Sequence, residues 1–321
     1  MVFSTGGTIT SSGAPGVTRL YRDGNLSMEQ FCNSIPGLND LADLQFEEPF
    51  RVPSYDITIT NWMMLANRIN ELAEADLVDG FVISQGTDTL EETAYFLTLT
   101  AKTDKPIVLS AAMRPATSLS SDGPLNFYQA VALAASDKAR GHGALVTFAD
   151  GIFSARDAQK VHRFRAQAFS GGDFGMLGYM RDETVCFFHN TEKRHTLQTE
   201  FDIRGLATLP KVGLAYYYTE AESEILDIVA SNAAGLVIAG SPCGSFGSNW
   251  KPKVHTLTKN GLIVLRSSRV ADGVLMDDNI DNDTGTIPSG TLSPQKARIL
   301  LMLALTKTNN PTEVRRMLEV Y

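Results

Sequence analysis

Three short runs, Phe81-Val82-Ile83-Ser84, Pro106-Ile107-Val108-Leu109-Ser110 and Ala144-Leu145-Val146-Thr147-Phe148, are apolar at almost every position. A strand with one wet face alternates polar and apolar residues, whereas a near-continuous apolar strand must be covered on both faces. Residues 90–97 and 124–136, which separate these runs, have helical character. Strands alternating with helices define an α/β fold with a parallel sheet between helical layers. The pattern restarts further on, with strands expected at 212–216, 235–239 and 261–265 and helices at 221–231 and 294–306. Pro294 suits a first helical turn, with Ser293 as its N-cap. The stretch 189–210 between the two patterns is polar, rich in Thr, Glu, Lys and Arg. At roughly 100–200 residues per domain, 321 residues suggest two domains. The expected organisation is a larger N-terminal α/β domain over 1–190 with a parallel-rich sheet flanked by helices, a linker over 191–210, and a smaller C-terminal α/β domain over 211–321.

Composition narrows the classes of function. The chain is 43% hydrophobic and 20% charged, as in ordinary globular proteins. Its net charge is −8, and a diffuse acidic surface does not suit phosphate backbones, so no nucleic-acid partner is expected. No run of about 18 apolar residues is present, so no membrane-spanning helix is expected. Cys32, Cys186 and Cys243 are odd in number and far apart, which fits neither a disulfide framework nor a CxxC site. The five histidines show no HxH or HxxxH spacing, so no metal is expected. The chain opens Met1-Val2-Phe3-Ser4. A strand there falls short of the usual ~5–6 residues, so the chain is expected to begin inside its first strand. It reads as cytoplasmic as it stands, and as periplasmic if an upstream signal segment is missing.

In open parallel sheets ligands bind beyond the carboxyl ends of the strands, so chemistry is sought in the loops that follow them. Thr5-Gly6-Gly7-Thr8 follows the first strand; it reads either as a tight turn or as a loop whose glycines let backbone approach a ligand. It lacks the lysine of a phosphate-binding loop and is not GxGxxG, so no nucleotide cofactor is indicated. Gln85-Gly86-Thr87-Asp88-Thr89-Leu90-Glu91-Glu92 follows the run at 81–84, and Thr89-x-x-Glu92 reads as a capping box. Capping does not require Thr, Asp and Thr in succession. Ala155-Arg156-Asp157-Ala158-Gln159-Lys160 brings a lysine, which alone would be a solvated charge. A threonine hydroxyl is a weak nucleophile that needs a base, and a partly buried lysine can serve. No Gly-x-Ser-x-Gly elbow is present. The Ser- and Gly-rich stretch 241–248 reads as a mobile loop. The segment 10–25, with Ser11, Ser12, Gly13, Gly16 and Gly24, lacks apolar periodicity and reads as a loop that closes over a site.

Together these segments resemble the bacterial type II L-asparaginase and glutaminase-asparaginase family over nearly the whole chain. The resemblance also draws on Ala112-Met113-Arg114-Pro115, Ser121-Asp122-Gly123-Pro124 and the late Ser289-Gly290-Thr291-Leu292-Ser293-Pro294-Gln295-Lys296-Ala297-Arg298. It implies hydrolysis of the side-chain amide of L-asparagine to L-aspartate and ammonia, without metal or organic cofactor. Thr8 would be the nucleophile, with Tyr21 on a flexible loop helping to activate it, and Thr87, Asp88 and Lys160 would form a second set for proton transfer. Ser54 would hold the substrate α-carboxylate and Asp88 its α-ammonium, with Tyr55, Gly86 and Ala112 completing the substrate-binding residues. The family implies a homotetramer, a dimer of dimers, with sites at subunit contacts. Asn249 or Ser248, and Asp277 or Asp278, would match residues near a neighbouring subunit's site. Gln85 stands where histidine is usual, and Tyr55 where glutamine is common. Tyr55 either narrows the site against glutamine or points outward and contributes backbone alone. The alternatives to an asparaginase are a glutaminase-asparaginase with comparable glutamine activity and a catalytically weak amino-acid-binding relative.

Overall fold

The apolar runs form the middle of an eight-stranded sheet. The computed structural model describes residues 1–14, 16, 17, 27–276 and 282–321, which fall into two compact units, Met1–Thr199 and Glu200–Tyr321. In the first unit the strands are β1 (Val2–Ser4), β2 (Phe46–Glu47), β3 (Phe81–Ser84), β4 (Ile107–Ser110), β5 (Ala144–Phe148) and β6 (Gly151–Ser154). They are followed by β7 (Gln159–Lys160), β8 (Phe169–Ser170), β9 (Gly178–Arg181) and β10 (Thr184–Phe187). The spatial order is β10-β9-β6-β5-β4-β3-β1-β2, with β7 and β8 forming a separate ribbon. Strands β2, β1, β3, β4 and β5 run parallel, while β6, β9 and β10 add an antiparallel edge. β9 and β10 were not legible as strands, because the exposed–buried alternation of β9 is brief and β10 is only partly buried, with no clear alternation.

The helices of this unit are α1 (Met28–Asn33), α2 (Ile59–Glu74), α3 (Leu90–Thr100) and α4 (Gly123–Ala135). On one face of the sheet, Val82, Val108 and Leu145 pack with Phe31, Phe127 and Val131. Elsewhere Trp62 of α2 stacks on Phe96 of α3 and donates its indole N–H to Thr93 at 2.8 Å. α3 is buried along nearly its whole length. Ser27–Gln30 and Thr58–Asn61 form reciprocal capping boxes that start α1 and α2. Thr89 caps α3 by position only: its hydroxyl donates to the Ser54 carbonyl at 2.6 Å instead.

The register matters most for function. Ser4 pairs with Ser84, and Ser84 with Ser110. The carboxyl ends of β1, β3 and β4 are therefore level, and the loops beginning at Thr5, Gln85 and Ala111 leave the sheet side by side.

The second unit holds β11 (Val212–Tyr216), α5 (Glu224–Ala230), β12 (Gly235–Gly240), α6 (Lys251–Lys259), β13 (Ile263–Ser268), β14 (Ile287–Pro288), α7 (Pro294–Ala304) and α8 (Pro311–Val320). Its four strands are all parallel in the order β11-β12-β13-β14. Leu226, Leu236, Ile238, Trp250, Val254 and Val264 form its core. The stretch 241–248, read as a mobile loop, is a hydrogen-bonded turn: Ser241 N–H donates to Ser245 O at 2.8 Å, and Phe246 is buried. Within the polar stretch the packing partner changes at Thr199. The Lys102 ammonium donates to the Thr199 carbonyl at 2.9 Å, whereas Glu200 accepts from Arg316 at 2.8 Å and from the Tyr321 hydroxyl at 3.0 Å.

In the first unit a half-buried histidine, His142, lies near a buried one, His195. His142 lies flat on Phe187 with centroids 4.1 Å apart, and His195 bonds Thr196 at 3.0 Å. Burial pushes both imidazoles below the ordinary histidine value, and the His142 charge pushes His195 further down. Both therefore bind a proton less readily in the folded chain than in the unfolded one. Protons then favour unfolding, and stability falls as pH drops through the unfolded value of about 6.5. The urea midpoint is expected to fall between pH 7 and pH 5, and to fall less in a His142→Gln, His195→Gln double variant. Equal pH slopes for the two proteins would show that other groups set the acid limit.

Candidate active site

The loop after β1 and the loop after β3 touch through glycine backbone. Gly7 has φ +107°, and a Cβ there would overlap the backbone nitrogen of Gly86. A Cβ on Gly86 would lie 2.7 Å from the Ser54 hydroxyl. Neither loop could approach the other with any larger residue at these positions. Thr8 opens a short 3₁₀ turn, Thr8–Thr10, closed by Ser11 N–H donating to Thr8 O at 3.0 Å. Thr5 is tied twice to the Ser84 carbonyl, by its N–H at 3.0 Å and its hydroxyl at 3.1 Å. The Gly-Gly sequence thus serves loop-to-loop packing first, and this packing seats the Thr8 turn against the Thr87 loop.

The Lys160 ammonium donates to the Thr87 hydroxyl at 2.8 Å and to Asp88 Oδ1 at 2.7 Å. The Lys160 side chain is 19% exposed and the Asp88 side chain 52%. Ser54 faces the same carboxylate: its hydroxyl accepts from Asp88 N–H at 3.2 Å and donates to Asp88 Oδ2 at 3.4 Å. The arrangement offers an amine in contact with a buried hydroxyl, and a half-exposed carboxylate whose other oxygen faces a serine. Those are the groups needed to move a proton and to meet a small ligand carrying its own positive charge.

Lys160 does not come from a loop at the carboxyl end of a parallel strand. β6 runs back along β5, so that Ser154 pairs with Leu145. The chain then turns through residues 155–158, where Asp157 accepts from the Ser154 hydroxyl at 2.7 Å and pairs with Arg156 at 2.8 Å, and returns as β7. The Arg-Asp pair of this motif is a turn brace.

Ala112 is buried in the third loop. Asp122 braces that loop, accepting from Met113 N–H and Arg114 N–H at 2.9 Å each, and the Asn126 amide donates to Ala111 O at 3.0 Å. Gln85 is buried beneath the second loop, and its amide reaches Thr89 at 3.5 Å. Tyr55 is 70% exposed, which favours the outward alternative. In the second unit, the exposed Asn249 donates to the Ala221 carbonyl at 2.9 Å, beside Trp250, which donates to the same oxygen at 2.8 Å. Tyr21, Asp277 and Asp278 lie outside the described residues. Among the described residues no group of three or more His, Cys, Asp and Glu side chains could hold a metal ion.

Glu91 was missed. It is 6% exposed, and its Oε2 accepts the main-chain N–H of Lys160 at 2.5 Å. The available signal was weak: Glu91 and Glu92 are adjacent carboxylates in the first turn of a helix whose other residues are apolar, aromatic or threonine, and a buried charge must find a partner.

The two halves match two family models: "Asparaginase, N-terminal" over residues 1–193 and "Glutaminase/Asparaginase C-terminal domain" over residues 211–318. The chain therefore belongs to the asparaginase family. It is 40% identical to the probable periplasmic L-asparaginase of Haemophilus influenzae, over 99% of this chain and 91% of that protein. It is also 40% identical to a glutaminase-asparaginase of Pseudomonas fluorescens biotype A, over 100% of this chain and 90% of that one. The crystal structure of a probable cytoplasmic L-asparaginase from Campylobacter jejuni superposes with a TM-score of 0.96 at 41% identity, covering 100% of this chain and 98% of that one.

The glycine contact makes a direct prediction. Gly86→Ala is expected to lower stability by about 1–3 kcal/mol, because the new methyl must displace Ser54. Equilibrium unfolding checks this, and native stability would show that the loops are positioned by something else.

Proposed function

We propose that the protein is an L-asparaginase that hydrolyses the side-chain amide of L-asparagine through an acyl-enzyme on Thr8. The observation that carries this reading is the Lys160–Thr87–Asp88 cluster, built on a loop in backbone contact with the loop of Thr8. Family membership and the activities named for its relatives support it.

The reaction follows from the chemistry of these groups. The Thr8 hydroxyl attacks the amide carbon, its proton passes to a base, and the carbonyl becomes an oxyanion. Collapse of that intermediate expels ammonia, which leaves with a transferred proton, and an aspartyl ester remains on Thr8. Water, deprotonated through Thr87 and Lys160, then adds to the ester and releases aspartate, returning the proton to Thr8. Lys160 is suited to proton transfer because its nitrogen already contacts the Thr87 oxygen: as the neutral amine it takes the proton, and the Asp88 carboxylate balances the ammonium so formed. Asp88 and Ser54, which hydrogen-bond each other, are proposed to bind the substrate's α-ammonium and α-carboxylate. Tyr21 belongs to the same proposal as a residue that closes over Thr8. The assembly is proposed to be a homotetramer with Asn249 and Asp277 or Asp278 near a neighbouring site. The preference for asparagine over glutamine is proposed to be moderate, since one methylene is worth only about 1–3 kcal/mol in a pocket. With the Tyr55 ring exposed, that preference is assigned to the buried loops and not to the aromatic side chain.

Thr8→Ala is expected to lose several orders of magnitude in kcat while remaining folded. Ammonia release from asparagine, with glutamine measured in parallel, tests both nucleophile and preference. Near-native turnover by the variant would exclude Thr8 as the nucleophile.

A further inference from the structure

We propose that Glu91 is a positioning residue for Lys160: its buried carboxylate holds the main chain of Lys160 so that the ammonium reaches Thr87 and Asp88 together. This rests on the role given to Lys160 above.

Lys160 lies in a strand of only two residues, whose ladder partner on one side is β8, through Lys160 and Phe169. Phe169 is itself fixed against Phe148, with ring centroids 5.0 Å apart. On the other side the Lys160 N–H is held by Glu91, 69 residues away in sequence. A lysine side chain has four flexible methylenes, and bringing its nitrogen within hydrogen-bond reach of two acceptors at once needs a fixed backbone origin. Glu91 supplies that origin from a helix that begins directly after Thr87, Asp88 and Thr89. Both halves of the proton-transfer set are thus referred to one rigid element. The carboxylate is in the first turn of α3, where the helix dipole favours negative charge, and its burial makes the bond to Lys160 N–H costly to lose.

The test compares Glu91→Gln, Glu91→Asp and Glu91→Ala with a Lys160→Met control, measuring kcat, KM and aspartate binding on the folded enzyme. Gln keeps an acceptor at the same distance and is expected to retain kcat within about threefold, since it loses only the charge-assisted part of the bond. Ala, and Asp with its carboxylate one methylene short, are expected to lower kcat by about ten- to a hundredfold, as for a displacement of about 1 Å. KM and aspartate binding should stay within about threefold, because Ser54 and Asp88 do not depend on the Lys160 backbone. Should the alanine variant fail to fold, the Gln–Asp pair alone decides. Native kcat in Glu91→Asp or Glu91→Ala overturns the proposal, as does Glu91→Gln falling as far as Glu91→Asp. Loss expressed in KM rather than kcat also overturns it. Near-native turnover in Lys160→Met would instead remove the reading of Lys160 on which it rests.

Discussion

Backbone contact between Gly7 and Gly86 sets how closely two threonine-bearing loops can lie, and the candidate site depends on that distance. The contact is possible because Ser4, Ser84 and Ser110 end their strands in register, so the loops leave the sheet at one level. A shift of the register by one residue would exchange the two faces of each strand and separate the loops. The burial of β1, β3 and β4 on both faces makes such a shift costly, so the apolar core of the sheet fixes the geometry of polar groups at its edge.

The Lys160–Asp88 pair shows how partial exposure suits a site of this kind. A fully buried pair would need further partners to offset its desolvation, and a fully solvated one would be screened and mobile. Here the lysine is the more enclosed partner and the carboxylate the more open one. The amine stays against Thr87, while the carboxylate keeps a face toward solvent from which a cationic ligand group can approach.

The parallel core, both units and the loops that meet at Gly7 and Gly86 were legible because continuous apolar runs and strand-end loops are local signals. Thr87 and Asp88 could be singled out for the same reason. What escaped the sequence depends on distant partners. Thr89-x-x-Glu92 has the spacing of a capping box, yet Ser54, 35 residues upstream, takes the Thr89 hydroxyl. The glycines of Thr5-Gly6-Gly7-Thr8 suggested ligand approach, and the structure shows Gly7 admitting the backbone of Gly86 and Gly6 that of Val52. Lys160 was expected from a strand-end loop, and its route through antiparallel β6 and the Arg156–Asp157 turn left no periodic trace. Glu91 stood in plain view beside Glu92, but its burial and its bond to the Lys160 N–H are set by the tertiary fold.

On the proposed mechanism, two loops joined at Gly7 and Gly86 deliver one threonine for covalent attack and another, with Lys160, for proton transfer. Rapid acid quench during turnover of asparagine, followed by peptide mass spectrometry, tests it most directly. An aspartyl ester is expected on the peptide containing Thr8 and none on the peptide containing Thr87. An ester on Thr87, or full turnover with no covalent adduct on Thr8 at any quench time, would contradict it.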